Sequence, residues 1–294
     1  MDALIFIDTN ILLDFYRIRS SDVGLSLLSH IDDNHNKIIT GNQIEMEFKK
    51  NRQKVILESI NRIKTPDWAG LAPPAYLSEA QPVKVIEKNK KELSKQQRAL
   101  KKRLESILKN PTRNDPVYQC LQRLFKNGTT YNLDRKKKIR KTVRSLAWKR
   151  FFLGYPPRKK EDTSMGDAVN WEWIIQCALD SGKHIVIVSR DSDYGIMYNG
   201  QAMLNDALQQ EFRERVSSKR KLILTDKLTE AFKQASISVS KKEEKQELDL
   251  IEEIAVEENS RRARRELALQ LALREMEKQI RKSRIYSPEN KDDD

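Results

Sequence analysis

The chain has 294 residues, enough for one α/β domain of ordinary size with additions. Apolar residues make up 38% and charged residues 34%, which implies a compact core with long solvated helices attached. The net charge of +13 favours a polyanionic partner, because each phosphate contact releases bound counterions.

The first strand is expected at Leu4–Ile7, and Asp8 follows it directly in Phe6-Ile7-Asp8-Thr9-Asn10. This apolar run lacks a basic leader, and nothing later approaches the ~20 apolar residues that span a bilayer. The chain therefore reads as cytoplasmic, with no membrane partner. An acid at a buried strand end costs stability unless its charge is used. Asp8 either caps the helix beginning near Ile11 or serves chemistry, and the residue alone leaves both open. A second strand, Lys37–Thr40, leads into a helix at Asn42–Ile60. Ile44, Phe48 and Val55 define its buried face, with Glu45 and Glu47 on opposite flanks, so only one of the two can face a given site. Asn51 lies one turn after Glu47 on the same flank and favours Glu47; Glu45 reads as solvated.

Residues 61–144 then interrupt the alternation of strand and helix with a basic, mainly helical insertion, introduced by Pro66, Pro73, Pro74 and Pro82. A helix from about Lys84 to Lys109 carries Ile86, Leu93, Leu100 and Ile107 at seven-residue spacing. Leu121, Leu124 and Phe125 of the next helix are expected to cover that stripe. Cys120 and Cys177 sit in apolar helical contexts, and no His or Cys spacing suggests zinc or a disulfide. Residues 51–160 hold 29 Lys and Arg against 8 Asp and Glu, a net of +21 that leaves −8 for the rest. Such segregation is expected where one region holds nucleic acid. The run Arg135–Lys138, continued by Arg140, Lys141 and Arg144, precedes Trp148, Phe151, Phe152 and Tyr155. Basic residues interleaved with aromatics suit single-stranded nucleic acid. Trp148 and Phe152 are nonetheless read as core, and Arg158, Lys159 and Lys160 as phosphate contacts.

Asp167 opens the next helix, where a carboxylate is electrostatically welcome whatever its role; Asn170 stands one turn on, and Gly182 ends the helix. A strand at Ile185–Ser189 runs into Arg190-Asp191-Ser192-Asp193. Aspartates so spaced commonly make turns, and equally suit oxygen ligation of a hard cation. The last strand is expected at Leu222–Leu224. These strands are continuously apolar, which suits a parallel sheet covered on both faces, with its ligand crevice beyond the carboxyl ends. From Lys241 the chain is helical and highly charged. Its stripe of Leu269, Leu273, Met276 and Ile280 suits packing on the domain, self-association or a regulatory protein, and Ser287–Asp294 read as disordered.

Asp8, Glu47, Asp167 and Asp191 with Asp193 thus lie at separate points of the chain, most of them beside sheet ends. Drawing carboxylates together is repulsive and raises their proton affinity unless a cation compensates. One or two Mg²⁺ or Mn²⁺ ions would do so, and could activate water and stabilise a leaving oxyanion.

In these residues the chain resembles the PIN-domain nuclease family. Phe-Ile-Asp-Thr-Asn at 6–10, Glu-Phe-Lys-Lys-Asn-Arg at 47–52, Gly-Asp at 166–167 and Ser-Arg-Asp-Ser-Asp at 189–193 come in the family's order. Leu222–Phe232 looks like its last strand and helix. The chain is similar to the larger bacterial PIN-like proteins rather than the compact toxin type. The resemblance implies a PIN-like three-layer α/β/α domain with a central parallel sheet over 1–60 and 145–235; the helical insertion at 61–144 and the helical tail at 236–294 lie outside it. It implies catalytic and metal-binding roles for Asp8, Glu47, Asp167 and Asp191, with Asp193 an accessory acid. Thr9 or Asn10 would orient Asp8, with Asn51 and Asn170 in support. Arg52, Lys137 and Arg140 join Arg158, Lys159 and Lys160 as candidate nucleic-acid contacts. The implied function is a Mg- or Mn-dependent endoribonuclease, with a toxin or antiviral-defence effector among its settings. RNA over single-stranded DNA is a family expectation, since nothing here reads a 2′-hydroxyl. The alternatives are a non-catalytic RNA-binding or scaffold protein, and a DNA nuclease or phosphatase on the same sheet.

Overall fold

A computed structural model describes residues 1–17, 21–63, 74–157 and 164–285. The chain divides into two compact units, Met1–Glu244 and Lys245–Asp294. The first begins with β1 (Ala3–Ile7), α1 (Thr9–Asp14), α2 (Ser21–Asp33), β2 (Ile38–Gly41) and α3 (Asn42–Arg62). There follow α4 (Gln81–Lys109), α5 (Pro111–Asn114), α6 (Pro116–Lys126), β3 (Asn132–Leu133), α7 (Ile139–Leu153) and α8 (Gly166–Ser181). The last elements are β4 (His184–Val188), β5 (Gly195–Tyr198), β6 (Gln201–Leu204), α9 (Asp206–Arg215), β7 (Leu222–Thr225) and α10 (Leu228–Gln234). Helix α11 (Lys241–Ile285) runs on into the second unit.

The central sheet is parallel throughout, in the order β3-β2-β1-β4-β7. All five residues of β1 are buried, which explains why its apolar run shows no alternation: both faces are covered. Strand order reverses at β1, since the chain first builds outward through β2 and β3 and then returns to add β4 on the other side. Such a switch point leaves a crevice beyond the carboxyl ends of the two strands that flank it.

Several expectations for residues 61–144 give way. Strand β3 belongs to the sheet, so this stretch is not wholly an addition to it. Leu121, Leu124 and Phe125 are buried in the main core, with α6 packed on α2, and they do not cover α4. Helix α4 leans on α3 and α5 instead, and Ile86, Leu93 and Leu100 stay exposed. A buried ion pair ties the region down as well. Arg52 is 3% exposed and donates to Asp115 Oδ2 from both Nε and Nη2, at 2.8 and 2.6 Å. Tyr16 adds a third donor to that oxygen at 2.7 Å, while Asp115 Oδ1 caps α6 through the Tyr118 amide. Arg52 therefore has no free face for phosphate; its charge is consumed by Asp115. Lys137 is partly exposed, but its Nζ is engaged within the chain: it donates to the carbonyls of Thr129 and Thr130 and lies 5.6 Å from the centre of the Trp173 ring.

The aromatic residues of α7 also reverse their expected places. Val143, Ala147 and Arg150 face inward, and the helix packs along α8 on that stripe. At 3.6 residues per turn, Trp148 and Phe152 fall on the far side, where they are 60% and 77% exposed. In the second unit, Leu269, Leu273 and Met276 are exposed on α11. The side chain of Ile280 and residues 287–294 lie outside the described residues.

Candidate active site

The carboxyl end of β1 delivers Asp8, and the end of β4, its neighbour across the switch point, delivers Ser189, Asp191 and Asp193. Asp8 is buried yet well bonded. Oδ1 accepts from the Thr9 amide at 2.6 Å, and Oδ2 accepts from Asn10 Nδ2 at 3.0 Å and Ser189 Oγ at 2.5 Å. It caps α1, so the capping and chemical roles are compatible in one residue. Ser189 Oγ also accepts from the Asp191 amide at 3.0 Å, so the acids of the two strand ends are linked through one hydroxyl.

Helix α3 supplies the third group. Ile44, Phe48 and Val55 are buried, Glu45 pairs with Lys49 at 2.6 Å, and Glu47 turns toward the β1 end. Glu47 Oε1 accepts from Gln43 Nε2 at 2.6 Å and Oε2 from Thr9 Oγ1 at 3.2 Å. Asn51 is exposed, so the flank shared with Glu47 ends before it. The fourth group comes from the first turn of α8. Gly166 lets that turn approach Glu47: a Cβ there would overlap Glu47 Oε1 and stand 2.8 Å from Gln43 Nε2. Asp167 follows at once, and Asn170 lies buried one turn later, its amide nitrogen without a partner among the described residues.

Electrostatics join these groups into one site. Burial raises the Asp8 carboxyl to about 6, helped by Asp191 and Glu47 and opposed by the Ser189 and Thr9 hydrogen bonds. Burial and then the charges of Asp8, Glu47, Asp193 and Asp191 raise Asp167 to about 8. Tyr194, fully buried beneath them, has its phenol pushed far up by burial and by Asp167, Asp8, Glu47 and Asp193. Asp167 therefore lies within electrostatic reach of the other four predicted acids, and Asp8 within reach of Asp191 and Glu47. Gly166 and Ser189 entered the sequence reading only as members of motifs, with no role assigned, and Gln43 and Tyr194 carried no signal there.

A PIN domain family model matches residues 5–194, a span that includes all five acids. The chain belongs to the PIN-domain family. No curated protein and no solved structure matches it. PIN domains are generally nucleases, and nucleases of this family generally use divalent metal ions.

The donor set of this PIN domain suits such an ion chemically. Every candidate group is a hard oxygen, and Asn10 adds a buried Oδ1 with no partner among the described residues. Burial and like charge raise the proton affinity of Asp8 and Asp167, and a bound cation would relieve both. Among the described residues, no three acidic, histidine or cysteine side chains converge tightly enough to ligate one ion. Of the predicted nucleic-acid contacts, Arg140 is partly exposed, Arg52 and Lys137 are occupied internally, and Arg158, Lys159 and Lys160 lie outside the described residues. No helix among the described residues is long and apolar enough to cross a membrane.

Proposed function

We propose that this PIN domain is a divalent-metal-dependent endoribonuclease. The reading rests on one observation: at the sheet's switch point, burial and the charges of neighbouring acids from α3 and the β4–β5 loop raise the proton affinity of Asp8 and Asp167. Asp8, Glu47, Asp167 and Asp191 would hold Mg²⁺ or Mn²⁺, with Asp193 behind them. When bound, the ion supplies the positive charge that generates a nucleophilic hydroxide and stabilises the leaving oxygen. The chain's own residues do the positioning. Thr9, Asn10 and Ser189 fix the Asp8 carboxylate, Gln43 and Thr9 fix Glu47, and Tyr194 closes the floor beneath both.

RNA is favoured over single-stranded DNA only by family habit, so parallel assays on RNA, single-stranded DNA and phosphomonoesters belong in the test. Asp8→Asn and Asp167→Asn are each expected to abolish Mn²⁺-dependent RNA cleavage while the far-ultraviolet circular dichroism stays unchanged. Full cleavage by either purified variant defeats the reading. Salt-sensitive RNA binding with no cleavage by the unaltered chain would instead support a non-catalytic RNA-binding protein. The toxin or defence setting belongs to the same proposal: the exposed Leu267, Leu269, Leu271, Leu273 and Met276 of α11 offer a regulatory partner or a second copy an apolar surface.

A further inference from the structure

We propose that α7 and the turn before it form a track for single-stranded nucleic acid that leads a phosphate to the acid cluster. Its destination rests on the nuclease reading; its binding does not. Two observations carry it. The first is a cavity of about 390 Å³ whose walls include Arg135, Arg140 and Arg144 on one side and Asn42, Gln43 and Val169 on the other. No acid lines it among the described residues. Gln43, in its wall, also donates to Glu47 Oε1, so the basic groove comes within one side chain of the acid cluster.

The second observation is the outward face of α7. Lys141, Arg144, Trp148 and Phe152 recur at three- and four-residue intervals and form one exposed stripe, about 16 Å long at the helical rise. Trp148 and Phe152 present their rings to solvent, and Tyr155 continues the exposed surface past the helix end. No Asp or Glu occurs between Arg135 and Lys160. An apolar protein partner laid on this face would desolvate its cations without a counter-charge. A polyanion supplies that counter-charge, and its bases supply flat faces for the rings. Stacking on aromatic side chains requires bases free of a duplex, which selects single strands.

The test measures binding in EDTA, where cleavage cannot interfere, using a fluorescein-labelled oligouridylate and an RNA duplex of the same length. Trp148→Ala combined with Phe152→Ala is expected to weaken single-strand binding on the order of tenfold or more, with little change for the duplex. Arg140→Gln combined with Arg144→Gln is expected to flatten the dependence of log affinity on log salt by about 0.7 per lost phosphate contact. These side chains are exposed or partly exposed, so Tm is expected to hold in both variants. Unchanged single-strand affinity overturns the track. So does an equal loss on the duplex, or a shift in oligomeric state with RNA binding intact, which would mark a protein-binding face. Failure of the two readings is separable. If Asp8→Asn still cleaves while the α7 variants lose binding, the nuclease reading falls and the track stands; the reverse pattern sinks the track alone.

Discussion

Asp8 and Asp167 have folded-state carboxyl affinities of about 6 and about 8, both above the ordinary 3.8. An acid whose pKa rises on folding contributes its stability in the protonated form. That contribution is complete below the unfolded value and is lost as pH climbs through the folded one. In EDTA, Tm is therefore expected to fall between pH 5 and about 8.5, and Asp167→Asn is expected to raise Tm at the upper end and flatten the slope. A Tm that is level over this range contradicts the burial of the cluster. Glu243 acts outside the window. Burial alone would raise its carboxyl, but hydrogen bonds from Ser26 and Ser240 outweigh that and hold it at about 2, so its contribution disappears only in strong acid. Gly166 gives a second prediction. Gly166→Ala must push the Glu47 carboxylate aside, since the new methyl claims its space. Cleavage is expected to drop far more than Tm, and equal activity in the alanine variant would show that Glu47 need not sit where it does.

At the level of elements, the helical region after α3 is held by the apolar face of α6 in the main core and by the buried Arg52–Asp115 pair. Arg52→Ala leaves a buried carboxylate uncompensated and is expected to cost about 3–5 kcal/mol in a urea titration; a loss below about 1 kcal/mol would match a solvated surface pair instead. Patterns were legible for elements long enough to show a period. Ile44, Phe48 and Val55 fixed the buried face of α3 and set Glu45 and Glu47 on opposite flanks, and Gly182 ended α8 in a left-handed conformation. Two-residue β3 has no period to read, and its strand character comes wholly from pairing with β2. The aromatics of α7 misled for a related reason. The helix is apolar enough to suggest two buried faces, but only the stripe through Val143 and Ala147 meets α8.

Across the whole molecule, a divalent ion would join four elements that otherwise repel at their tips. Mn²⁺ at a hundred times its Kd is expected to add about 2.7 kcal/mol, read as a rise in Tm at pH 8 that EDTA reverses and Asp8→Asn abolishes. A Tm indifferent to Mn²⁺ would argue against the ion. The order of the motifs along the chain was enough to assign the PIN domain, and Asp8, an acid directly after a buried apolar strand, is a local anomaly that sequence displays openly. Which cations are free for nucleic acid was not legible in that way. Arg52 reads as a surface charge until Asp115, 63 positions away, is seen to neutralise it. Trp148 reads as core until α7 is docked on α8. Exposure and ion pairing depend on what packs against a residue from elsewhere in the chain, and only the tertiary structure decides that.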